Sequence, residues 1–179
     1  YEVLQKNGFT AKSIRLDNEI SQMFLDEVLN SKLSHQKVPV NNHRTNQAER
    51  AIQDFKAHFI SILSGADPEF PTKCWDLLIP QTIITLNLLR DSKIQPALSA
   101  YAQVHGPFDY RSTPLAPAGC KAIKHERPNQ RTSWGDHGTD GYYVGPAMDH
   151  YRNYQIYNPK TKSTTPTDTI HFFPHHCVI

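Results

Sequence analysis

Two carboxylates, Asp17 and Glu49, stand where a chain can present them rigidly. Asp17 follows the apolar alternation Ile14-Arg15-Leu16, where a strand would end. Glu49 falls in the first turns of a helix that opens near Gln47. Acids mounted on two different elements can share divalent cations. Oxygen donors suit Mg²⁺ or Mn²⁺. Two such ions about 4 Å apart can activate the attacking oxygen and stabilise the leaving oxygen of a phosphodiester. A pair of ions calls for a third acid beside these two. The polar loop 41–46 precedes Glu49. Lys56 follows it by seven positions, nearly two helical turns, on the same line as Gln53. That loop, with His43 and Arg44, can face a substrate backbone, and Lys56 can contact phosphate; Asn46, Arg50 and Lys56 are the candidate DNA contacts. Arg50 has a second reading, as the partner of an acid on its own helix or a brace of the fold. Spacing by itself does not single out the pair, because acids are common at strand and helix ends.

The elements that must hold these residues read as follows. Residues 1–6 form a short helix stopped by Asn7-Gly8, since glycine can take the left-handed conformation that ends a helix. Residues 9–16 are extended, and residues 19–31 are helical with Ile20, Phe24, Leu25, Val28 and Leu29 on the inner side. Residues 36–40 form a second strand closed by Pro39. Thr45 or Asn46 caps a helix over residues 47–64, whose core stripe is Ala48, Ile52, Phe55, Phe59 and Ile62. Residues 75–90 form one more helix, kinked at Pro80. This alternation gives an α/β layer. Residues 91–117 carry Pro96, Pro107, Pro114 and Pro117 and read as an ordered connector. Four short strands then follow, over residues 119–126, 141–145, 152–157 and 169–173, as a small β-barrel or sheet.

Composition narrows the class. The chain has 179 residues and is 38% hydrophobic, enough for one ordinary domain and a small one. Up to Pro117 there are 12 basic and 12 acidic residues, and beyond it 7 and 5, so the second part is mildly basic. Cys74, Cys120 and Cys177 are scattered and odd in number, which supports neither a disulfide framework nor a paired-cysteine zinc motif. No apolar run approaches the roughly 20 residues of a membrane span. The first residues read as the end of a helix, so an internal piece of a longer polypeptide is expected. His171, His175, His176 and Cys177 lack a second paired motif and read as non-ligating. His43 and His58 read as loop and helix-surface residues. The aromatic set Tyr142, Tyr143, Tyr151, Tyr154, Tyr157, Phe172 and Phe173 reads as core, with base stacking the alternative.

Several stretches resemble a known family. Leu16-Asp17-Asn18-Glu19 and the run from Asn42-His43-Arg44 through Asn46-Gln47-Ala48-Glu49-Arg50 to Ala51-Ile52 are similar to the second half of a retroviral-type integrase core. The integrase segment of copia-type retrotransposon polyproteins is the most similar. Trp75-Asp76-Leu77-Leu78, Leu86-Asn87-Leu88-Leu89-Arg90, Ser99-Ala100-Tyr101, Gly119-Cys120-Lys121-Ala122 and Gly141-Tyr142-Tyr143-Val144-Gly145-Pro146 extend the resemblance over nearly the whole chain. It implies the C-terminal half of an RNase H-like core over residues 1–91, a Pro-rich connector over 92–117 and a small SH3-like β domain over 118–179. It also implies metal-dependent processing of element DNA ends and their joining to target DNA. Asp17 and Glu49 take the places of two acids in an Asp, Asp, Glu triad that holds two Mg²⁺ or Mn²⁺ ions. Homo-oligomers, element-end and target DNA as partners, and a nuclear location after a cytoplasmic particle stage follow from the same resemblance.

Three departures qualify it. Glu49 lies 32 positions after Asp17, a little closer than is usual in the family. Glu19 stands where many relatives have glycine. No acid in residues 1–16 suits the first Asp, because Glu2 falls in the opening helix. The fragment is therefore expected to be inactive alone. The rival readings are a non-catalytic nucleic-acid-binding or assembly module from a decayed element, and another RNase H-like nuclease or transposase.

Overall fold

A computed structural model describes residues 2–16, 19–31, 33–38 and 47–174. The chain forms two compact units, residues 1–56 and 57–179.

The first unit contains α1 (Glu2–Lys6), β1 (Ser13–Leu16), α2 (Gln22–Asn30) and β2 (Ser34–Lys37). Gly8, with φ of 81°, ends α1, and the Asn7 side chain donates to the Val3 carbonyl at 2.8 Å. The Ser21 hydroxyl accepts from the Phe24 amide at the start of α2. β1 and β2 pair in parallel, Ser13 opposite Ser34 through Leu16 opposite Lys37. Parallel neighbours need a crossover, and α2 supplies it. Leu16, Val28 and Val38 are buried, and the Val38 amide donates to the Leu16 carbonyl at 2.9 Å.

Both strands are shorter than the apolar patterning predicts. β2 also lies earlier, on Ser34-His35-Gln36-Lys37, while Pro39 and Val40 fall outside the described residues. Of the predicted inner face of α2 only Val28 is buried, whereas Phe24 and Leu29 are about half exposed.

α3 (Gln47–Gly65) is a single helix of 19 residues. Its predicted core stripe divides along its length. Ala48 and Ile52 are exposed, Phe55 is half-buried, and Phe59 and Ile62 pack into a core.

The second unit joins helices to a five-stranded antiparallel sheet. After α3 come a 3-10 segment (Thr72–Leu78), α4 (Ile79–Leu89) and α5 (Ala100–His105). Pro80 occupies the first turn of α4, where its missing N–H costs nothing. It therefore starts a helix and does not kink one. α5 interrupts the Pro-rich connector and is capped by the Ser99 hydroxyl. The strands are β3 (Lys121–His125), β4 (Gly138–Pro146), β5 (Tyr154–Asn158), β6 (Ser163–Thr167) and β7 (Ile170–Phe173), in the order β6-β5-β4-β3-β7. β6 is a strand the sequence reading missed.

Alternation along β4 divides the core. Tyr142 and Val144 face the helices and pack with Ala66, Phe70, Leu78 and Tyr157. Tyr143 faces the other side, with Cys120, Ala122 and Ile156, and makes edge-on ring contacts with Tyr154 and Phe172. Most of the aromatic set is thus core, but Tyr151 and Phe173 are exposed.

Candidate active site

β1 ends at the buried Leu16, the residue before Asp17 in the sequence. Asp17 itself and Asn46 lie outside the described residues, as do His43 and residues 175–177 of the His/Cys cluster. Glu49 is half-buried in the first turn of α3, where the helix dipole favours a carboxylate. Arg50 and Lys56 are exposed on the same helix. Glu49, Arg50 and Lys56 thus share one helix. Among the described residues no group of three or more His, Cys, Asp or Glu side chains could hold a metal ion. His58 is not a simple surface residue. It is half-buried, and its Nε2 lies 2.9 Å from the Thr85 hydroxyl, joining α3 to α4.

The second unit holds polar contacts that residue spacing did not reveal. The Lys121 Nζ lies 3.3 Å from a Glu69 carboxylate oxygen, and that hydrogen bond holds the ammonium's pKa above its ordinary value. The Tyr142 hydroxyl donates to the Glu69 carbonyl at 2.9 Å, tying the turn after α3 to β4. Burial raises the pKa of this phenol. The Gln81 side chain donates to the Ala116 carbonyl at 2.7 Å and anchors the end of the connector on α4.

A cavity of about 590 Å³ opens at one end of the sheet. Its walls are residues 124–128, Arg131 and residues 165–169, with Asn153 between them. These stretches are far apart in sequence. Pairing of β5 with β6 and of β3 with β7 brings them together, and no local motif marks them.

No protein-family model matches the chain. No curated protein matches it. Among solved structures, one chain of the cryo-EM structure of the simian T-cell lymphotropic virus intasome in complex with PP2A regulatory subunit B56 gamma is a distant structural neighbour. It has 15% sequence identity and a TM-score of 0.42. The match covers 96% of the present chain but only 60% of that chain's length, a weak likeness that assigns no activity.

Proposed function

We propose that the chain is a segment of a retroelement integrase, with Asp17 and Glu49 as two of three acids for metal-dependent phosphoryl transfer on DNA. What supports the reading is that β1 ends at Leu16, the residue before Asp17 in the sequence, and that Glu49 lies in the first turn of α3. The parallel β1–α2–β2 unit supports an RNase H-like core segment. In the second unit, the last strand of an antiparallel meander returns to pair with the first, which supports an SH3-like barrel. The motifs around Asp17 and Glu49 support a copia-type source.

The donor chemistry fits a hard cation, since both groups offer carboxylate oxygen. When bound, such ions supply charge stabilisation at the attacking and leaving oxygens. The chain's own part is to hold two ligands and to seat phosphate against Asn46, Arg50 and Lys56. Element-end and target DNA are the partners in this reading, a homo-oligomer is the working form, and the nucleus is the place of action after a cytoplasmic particle stage. Two acids do not complete a two-ion site, so the chain alone joins no DNA ends.

Titration of Mn²⁺ into isotope-labelled chain tests the assignment. Paramagnetic broadening is expected first at the amides around Leu16 and Glu49, and Asp17→Asn or Glu49→Gln weakens it. Broadening that ignores both substitutions would sink the metal reading. DNA joining by the unassisted chain would refute the need for a third acid.

A further inference from the structure

We propose that the cavity beside β6 is a docking site for an extended acidic peptide. The inference stands on the second unit alone and does not depend on the integrase reading. At about 590 Å³ the cavity falls within the roughly 300–1,000 Å³ of ordinary ligand sites.

Its charges are not evenly committed. The Glu126 carboxylate accepts from the Thr139 hydroxyl and lies 3.8 Å from the Lys124 Nζ. This acid and this base are satisfied by the protein itself. The Glu126 carbonyl accepts from the Arg131 Nε at 2.6 Å, which fixes the guanidinium and leaves its terminal N–H groups as donors. Arg127, at the entry to the short 3-10 turn of residues 128–130, is exposed. Against these two guanidinium groups stands one further acid in the lining, Asp168, which accepts from the Thr169 hydroxyl at 3.3 Å. The mouth is therefore net positive and rich in the planar donors that bind carboxylates in pairs.

The opposite wall supplies the second half of the site. Among the described residues, β6 is the outer strand of its sheet and pairs with β5 alone. Alternate N–H and C=O groups of an outer strand point away from its neighbour and are open to a further strand. Pro166 removes one donor from β6, so a docked peptide pairs through the remaining groups. Period-two alternation of that peptide turns every second side chain toward Arg127 and Arg131. Acids at alternate positions are the complement. A nucleic-acid backbone also carries negative charge, but it has no amide to pair with the strand edge. This is why the two walls together favour a peptide.

The test is fluorescence anisotropy of a fluorescein-labelled hexapeptide of alternating valine and glutamate, titrated with the full chain. Binding is expected, with perturbation of the Ser163–Thr167 amides in a nitrogen-resolved spectrum. Arg127→Glu with Arg131→Glu should weaken binding roughly tenfold or more, the scale of lost charge-assisted hydrogen bonds. Arg127→Glu alone keeps the bond from Arg131 to the Glu126 carbonyl, so it reports charge without disturbing that turn. The same peptide with lysine for glutamate should not bind. The proposal is overturned by equal binding of the lysine peptide, by affinity unchanged in both variants, or by no binding at about 1 mM. It is equally overturned if a hexathymidylate binds the cavity while the peptide leaves the β6 amides unmoved.

Discussion

Replacing Gly119 by alanine tests how the helices of the second unit are locked to its sheet. Gly119 has φ of +78°, a conformation that costs an L side chain roughly 1–2 kcal/mol. A Cβ there would sit 2.5 Å from the Ala66 Cβ and 3.3 Å from the Ala66 Cα. The Gly119 peptide cannot step aside cheaply. Its N–H donates to the Tyr143 carbonyl at 2.7 Å, and its carbonyl accepts from the Asp67 amide at 3.1 Å. Overpacking of this kind costs roughly 1–3 kcal/mol. The two effects together predict a loss of about 2–5 kcal/mol for Gly119→Ala. Urea unfolding followed by near-ultraviolet circular dichroism measures it. A double-mutant cycle with Ala66→Gly separates the causes, because removing the Ala66 Cβ relieves the clash but not the backbone strain. The coupling should be at least about 1 kcal/mol and favourable. A Gly119→Ala cost under about 1 kcal/mol, or coupling within about 0.5 kcal/mol of zero, would refute the account.

Two further outcomes follow from the same core. Burial pushes the Cys120 thiol from 9.0 to about 12, so folding holds it protonated. Its contribution to stability is complete below pH 9 and is lost as the pH rises toward 12, by at most about 1.4 kcal/mol per pH unit. Urea midpoints between pH 8 and 11 should fall less steeply in Cys120→Ala; equal slopes would count against it. Leu78 is fully buried between α3 and β4, and Leu78→Ala should cost about 2–5 kcal/mol, whereas Leu89→Ala, at 75% exposed, should cost less than about 0.5 kcal/mol in the same urea assay.

What the sequence makes legible follows from how local each signal is. The Asn7-Gly8 stop, the bounds of α3 and the core placement of Tyr142 and Tyr143 are encoded within a few residues, and each stands in the fold. β6 reads Ser163-Thr164-Thr165-Pro166-Thr167, with no apolar alternation, because an edge strand buries little and tolerates proline. α5 hides among prolines, and only the Ser99 cap announces it. Pro80 reads as a kink within one long helix, but the 3-10 segment before it makes it a first-turn residue of α4. The candidate site divides in the same way. Glu49, Arg50 and Lys56 come from one helix and can be placed by counting turns. The cavity walls at residues 124–128, Arg131 and residues 165–169 meet only through strand pairing, so no window of sequence contains them.

The apolar stripe of α2 and the first half of α3 carries a physical consequence. Periodicity identifies which side chains would share a face, but burial needs a layer to cover that face. Among the described residues of 1–56, two strands of four residues each, the short helices α1 and α2 and the first turns of α3 supply little cover. Among the described residues of this unit only Leu16, Val28 and Val38 are buried apolar side chains, while Phe24, Leu29 and Ile52 stay about half exposed. In the second unit the sheet is covered on one face by helices and on the other by an aromatic cluster. Regions with few buried apolar contacts open locally at low free energy. The β1 and β2 amides that form the parallel ladder should therefore exchange with deuterium at least a hundredfold faster than those of β4 and β5, a difference of about 2.7 kcal/mol in opening free energy. Equal protection in the two ladders would show that the exposed stripe does not control the stability of the segment that precedes Asp17.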